Sequence, residues 1–282
     1  MQLNRFWSAV WAVTVFLVSV GLLNVLIASL AGLVTLFAPA VGQYLIGAVE
    51  VVVPVIGAIL YMDWRWGWKP GHIGMAPEAS VAAWLVGGLA AGVAGAYLMQ
   101  IASHMLSGPA LVVTAPALNP DMRVPVLALL SLFSVELAFR GAAISKLKAS
   151  LSPREVMLAA PLVPFGWIMV SAVVGRFLFI GNLSTGIAPS LPWTALLSIF
   201  LSLLYMRIQS VWLSAGIHMG VLGAFLFLDL QVSANGGMVV WGAAALVLLA
   251  LEWFRQERMP KRIPPKKTYQ GGRTVRGPWG PH

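Results

Sequence analysis

The sequence predicts an all-α, polytopic membrane protein of about eight transmembrane helices. Three observations carry this. Of 282 residues, 59% are hydrophobic and only 10% are charged, where ordinary soluble domains run at about 25% charged. The mean hydropathy of +0.86 leaves too little polar surface to cover a globule in water. Apolar runs also recur along the chain, each near the roughly 20 residues a helix needs to cross a hydrocarbon core about 30 Å thick. A soluble enzyme and a disordered chain are therefore excluded. There is no Cys, which removes disulfide scaffolds, thiolate catalysis, iron–sulfur clusters and thiolate metal sites.

The spans fall at 6–37, 41–62, 80–106, 124–147, 155–180, 191–207, 209–228 and 237–254. The first is longer than one upright span requires, so it tilts, bends or runs past the membrane. Its apolar run also far exceeds the ~7–15 residues of a signal-peptide core. Residues 63–80 follow the second span. There Trp64, Trp66 and Trp68 surround Arg65 and Lys69, as expected of an interfacial anchor. The third span carries small residues four apart, Gly88 with Gly92 and Ala91 with Gly95. Such spacing lets helix backbones approach closely, and a helix of the same chain is the expected neighbour.

The cations orient the bundle. With the N-terminus inside, the inner segments hold Arg5, Arg65, Lys69, Lys146, Lys148, Arg154, Arg207 and the eight basic residues of 255–282. That is fifteen of the eighteen Lys and Arg. The outer loops hold Arg123 alone, and Arg140 and Arg176 fall within spans. The positive-inside rule then places both termini in the cytoplasm, in a plasma or inner membrane. Two regions result: a helical bundle over 1–254 and a basic Pro- and Gly-containing cytoplasmic tail over 255–282. The net charge of +9 could suggest nucleic acid. Most of it lies in the tail, however, which fits a juxtamembrane segment facing anionic lipid.

Ionisable residues inside hydrocarbon are costly, and each is a functional hypothesis. Here they are Glu50, His104, Glu136, Arg140, Arg176 and His218. His104 and Arg176 lie near span ends, where snorkelling explains them. Glu50, near the middle of the second span, needs a proton, a hydrogen bond or a cation; a ligand contact and a structural bond to a neighbouring helix remain equally open. Glu136 and Arg140 stand four apart, so they share a helix face and can neutralise each other.

Residues 131–147 read SLFSVELAFRGAAISKL, and 200–224 read FLSLLYMRIQSVWLSAGIHMGVLGA. Together these resemble the CAAX-protease and bacteriocin-processing (CPBP, or Abi) family, which is similar to the type II CAAX prenyl endopeptidases. The eight-span layout and the HIGM loop before the third span resemble it too. The resemblance implies a first motif of two adjacent glutamates and a following arginine, then F-x-x-x-H, then H-x-x-x-N. In active members it implies a glutamate that activates water, aided by histidines and an Asn/His oxyanion site. Arg140 matches the motif arginine, with Phe139 and Gly141 as its neighbours, and Glu136 matches the second glutamate. The first glutamate falls on Val135. The F-x-x-x-H histidine falls on Met169, after Phe165. His218 is retained, but Leu222 stands where Asn is expected. None of Val135, Met169 and Leu222 can move a proton or hold an oxyanion.

The expected function is therefore a CPBP-like, non-catalytic docking or assembly subunit of a membrane complex, with Glu136–Arg140 as a structural ion pair. Its expected partners are other membrane subunits, the bilayer and anionic lipid at the tail. A second reading is an active intramembrane endopeptidase using Glu136, Arg140 and His218. A third is a cofactor- or pigment-binding subunit with His218 or His104 as axial ligand. A transporter, hinted at by Glu50, lacks the repeats and broken helices such folds use. No cofactor is expected, and no metal either, since catalytic zinc takes three protein ligands.

Overall fold

The structure is a computed structural model. It describes residues 2–69, 73–75, 80–107, 129, 132–163, 191–228, 230 and 232–258. Eight helices occupy them, and none of the described residues is in a strand. They are α1 (Gln2–Phe37), α2 (Pro39–Trp66), α3 (Val81–Ser107), α4 (132–150), α5 (153–163), α6 (Leu191–Ile208), α7 (Val211–Leu228) and α8 (Ala234–Arg258). Each expected span meets one helix. The stretches 124–131 and 164–180 of the fourth and fifth spans lie outside the described residues, apart from Leu129, as does the tail from 259 onward. By length and composition α1, α3, α7 and α8 can each cross a membrane, and α6 is a shorter apolar helix. The protein is integral to a membrane.

Local chemistry sets the helix ends. Pro39 opens α2 at its first turn, where a missing N–H costs nothing. Gly67 closes it at φ +63°, with Gly67 N–H bonded to the Asp63 carbonyl (3.0 Å) and Trp68 N–H to that of Met62 (3.2 Å). Those two bonds satisfy carbonyls that a helix end leaves free. Between α4 and α5 the chain reverses over two residues. Ser152 N–H donates to the Glu155 carboxylate at 2.8 Å, and Glu155 N–H to the Ser152 hydroxyl at 3.5 Å. This reciprocal capping box starts α5.

The helices build two apolar cores. In the first, Val13 and Phe16 of α1 and Met62 of α2 pack with Leu137, Ile144 and Leu147 of α4 and Val156 and Ala160 of α5. In the second, Met99 of α3 packs with Leu197 and Leu201 of α6, Ile217 and Val221 of α7 and Trp241 of α8. Trp241 donates its indole N–H to the Met99 sulfur at 3.0 Å.

The small-residue stripe of α3 packs within the chain, against α7. A methyl group on Gly88 would lie 2.6 Å from the Leu213 carbonyl oxygen and 3.0 Å from the Gly216 Cα. One on Gly92 would run into the Ile217 carbonyl, and one on Gly220 into that of Leu89. Glycines at 88 and 92 thus face glycines at 216 and 220. Van der Waals contact between backbones replaces the hydrophobic effect, which lipid does not supply.

A short segment packs against the start of α7. Ile73 is fully buried, and its carbonyl accepts the Tyr205 hydroxyl at 3.0 Å. The Gly74 carbonyl accepts Val211 N–H at 3.4 Å. Gly74 sits at φ +72°, and a Cβ there would meet the Gln209 carbonyl. Gln209 itself takes φ +58°, closing the α6–α7 turn. The aromatic anchor is partly internal. Trp64 points outward at 80% exposure, whereas Trp66 packs on Phe16 (5.3 Å between ring centroids) and Tyr61 (5.6 Å).

Replacing Gly220 by Leu is expected to separate α3 from α7 and to destabilise the protein by roughly 1–3 kcal/mol, the usual cost of overpacking. Gly87→Ala, whose added methyl meets nothing within 4 Å, is expected to leave stability unchanged. Thermal unfolding of both variants in mild detergent checks the contrast.

Candidate functional site

Three helices converge on one buried ion pair. Glu136 lies on α4, fully buried, immediately before a segment (Leu137–Ile144) that is wound as a π-helix. Glu136 and Arg140 do share a face, but the winding between them is π rather than α. The i→i+5 bonding of a π segment widens the turn, a feature that often marks functional sites. This one is eight residues long and entirely buried, beyond the single-turn bulge that is usual. Arg140 falls within it.

Arg140 Nη1 donates to Glu136 Oε1 at 2.9 Å, within a pair that is almost wholly excluded from the surface. Arg140 Nη2 reaches α6, where it donates to the Ser198 hydroxyl (2.6 Å) and to the Ser198 carbonyl (3.0 Å). The Ser202 hydroxyl bonds that same carbonyl at 2.7 Å. On α7, His218 Nδ1 lies 2.8 Å from Glu136 Oε1. A carboxylate only accepts, so Nδ1 carries the proton and Nε2 is left as the basic nitrogen. The glycine contact sets this geometry. Gly216 and Gly220 press α7 against α3, and His218, two residues from each, is turned about 200° away, toward α4.

The carboxylate is asymmetric. Oε1 takes both the Arg140 guanidinium and the His218 imidazole, while Oε2 has no hydrogen-bond partner and no accessible surface. Arg140 Nε is likewise buried and unbonded. Burial in hydrocarbon would be prohibitive for either charge alone, so each secures the other.

The two residues flanking this cluster in the motif pattern behave differently. Val135, one position before Glu136, is 36% exposed while Glu136 is not exposed at all, as the ~100° step per helical residue requires. Leu222, one turn after His218, is half-buried on α7. Met169 and Arg176 lie outside the described residues, as does the side chain of Glu50 on α2. His104 occupies the last turn of α3. Among the described residues no three His, Asp or Glu gather as a metal ion would need.

Ser198 and Ser202 were not singled out from the sequence. Their signal was there: Thr194, Ser198 and Ser202 recur every four residues in an otherwise apolar run, which places a polar stripe on one helix face. Tyr205 continues toward the same end. Its hydroxyl bridges the Ile73 carbonyl and the Ser145 hydroxyl, each at 3.0 Å, tying the 73–75 segment to α4 and α6.

Fold and site together define a polytopic helical membrane protein with a carboxylate–guanidinium–imidazole cluster at its centre. A family model described as type II CAAX prenyl endopeptidase Rce1-like matches residues 119–222. Over that segment the chain is similar to the type II CAAX prenyl endopeptidases of the CPBP family, and the segment contains Glu136, Arg140, Ser198 and His218. No curated protein and no solved structure matches the chain.

Arg140→Met is expected to destabilise the protein by about 3–5 kcal/mol, because it strands a buried carboxylate. Adding Glu136→Gln to that variant is expected to restore much of the loss. Unfolding of the two single variants and the double variant in detergent gives the coupling directly.

Proposed function

We propose that the protein keeps the CPBP bundle without the family's reaction and serves as a docking or assembly subunit of a membrane complex. One observation carries this reading. The only carboxylate of the motif is committed: Glu136 Oε1 is taken by Arg140 and His218, and Oε2 has no surface that water can reach. A general base must lie within hydrogen-bond reach of the proton it removes. Val135 and Leu222 support the same reading, since neither can replace a glutamate or an asparagine in that role. On this proposal Glu136–Arg140–Ser198 is a structural clasp. The termini lie in the cytoplasm, where the basic tail over 255–282 contacts anionic lipid or a partner subunit, and the bundle needs no cofactor.

A second reading rests on His218. Its Nδ1–H is fixed by a carboxylate, and its side chain retains 18% exposure. That arrangement orients an imidazole as a base through Nε2. On this reading the protein is an intramembrane endopeptidase in which Glu136 and Arg140 position His218.

The readings separate in one assay. Purified protein is incubated with a panel of reporter peptides alongside Glu136→Gln and His218→Ala. The docking reading expects no cleavage above that of the variants. Cleavage that His218→Ala reduces by about a hundredfold or more, in the range of general-base catalysis, would establish the endopeptidase. Solubilisation of the native membrane in mild detergent is expected to bring down stoichiometric partner subunits. Deleting 256–282 is expected to leave the bundle folded and to weaken that association, more so at low salt.

A further inference from the structure

The cations at one end of the bundle are not evenly spread. Lys146, in the last turns of α4, lies over the rings of Trp66 (5.0 Å) and Trp68 (5.6 Å), which themselves pack at 5.1 Å. Arg65, the exposed basic residue in the last turn of α2, is its electrostatic neighbour. Two residues on, Lys148 falls about 200° around α4, and Arg255 of α8 is its electrostatic neighbour. Burial and that arginine push the Lys148 ammonium below its ordinary range. Among the described residues Glu252 is the acid at this end that forms ion pairs, and it is engaged by both Arg207 and Arg255 at 3.6 Å.

The arrangement around Lys146 is the more specific. Trp66 is held from behind by Phe16 and Tyr61, so the two indoles form a fixed wall. A cation over an indole face is oriented by the ring quadrupole, and here the ammonium sits over the ring of Trp66, the residue that follows Arg65 in the chain. Two like charges at one surface repel each other, and an anion shared by them relieves that cost. The surroundings select the form of the anion. Trp64 projects outward at 80% exposure beside this pair, and indoles at such positions sit at headgroup depth.

We infer that Arg65 and Lys146, against the wall of Trp66 and Trp68, form a binding site for the phosphate of an anionic phospholipid. The site belongs to the bundle and is separate from the basic tail. Lys146 and Arg65 hold the phosphate oxygens, Trp66 and Trp68 flank the glycerol, and the acyl chains run along the apolar surface of α2. A bidentate guanidinium and an ammonium point charge are complementary phosphate donors.

The test uses the full-length protein in mild detergent, titrated with phosphatidylglycerol, with phosphatidylcholine of the same acyl chains, and with inorganic phosphate. Native mass spectrometry counts the lipids retained. One phosphatidylglycerol is expected to bind about tenfold or more tightly than phosphatidylcholine, the scale set by two cations near a headgroup. Arg65→Gln, at an exposed position, is expected to remove much of that preference. Lys146→Gln is expected to remove it further, and Lys146→Arg to keep it. A parallel variant with Lys266, Lys267 and Arg273 changed to Gln is expected to retain the preference. Equal binding of the two lipids would overturn the proposal, as would a preference lost only in the tail variant. Displacement of the lipid by inorganic phosphate at the lipid's own concentration would also overturn it, since the ligand would then be free phosphate.

Discussion

A carboxylate and a guanidinium cannot be left singly in hydrocarbon, and the centre of this protein is organised around that constraint. Glu136 and Arg140 neutralise each other at 2.9 Å on one helix, but neither is satisfied by that bond alone. Arg140 needs acceptors beyond Glu136 and finds them in the hydroxyl and carbonyl of Ser198 on α6. Glu136 needs a further donor and finds His218 on α7. The desolvation demand of two side chains therefore recruits two more helices. The wide π turn over Leu137–Ile144 is where α4 yields to this arrangement.

The consequence reaches the whole bundle. One apolar core centres on α1, α2, α4 and α5, and the other on α3, α6, α7 and α8. Apolar contact alone holds them together weakly, because lipid tails are as apolar as leucine. The polar cluster joins α4, in the first core, to α6 and α7 in the second. Tyr205 repeats the device toward the end of α6, bonding Ile73 and Ser145. The glycine contact between α3 and α7 fixes the face that α7 offers to α4. Packing and hydrogen bonding thus carry the specificity that the hydrophobic effect gives to soluble proteins.

The same bonds bear on function. A carboxylate that accepts from an arginine and a histidine, and whose other oxygen is sealed, is well placed to hold helices together. The family match over 119–222 covers the segment that carries this cluster. The proposed reading rests on this commitment of Glu136 together with the apolar Val135 and Leu222.

Much of this was legible in the sequence, for a physical reason: a bilayer imposes a one-dimensional rule. Span length, the eight helices, the Gly88–Gly92 stripe and the shared face of Glu136 and Arg140 all follow from local spacing along a helix. The CPBP motif was legible because Glu136, Arg140 and His218 are polar letters in apolar runs. The tertiary structure decided what no spacing contains. It chose α7 as the partner of the α3 stripe, and it brought His218 to Glu136 across 82 residues. It gave Arg140 to Ser198, turned Trp66 and Trp68 inward beneath Lys146, and opened the α4 turn into a π-helix. Each of these is a choice of partner between helices. The sequence states what each helix must bury or satisfy, and only the packed bundle determines which neighbour does it.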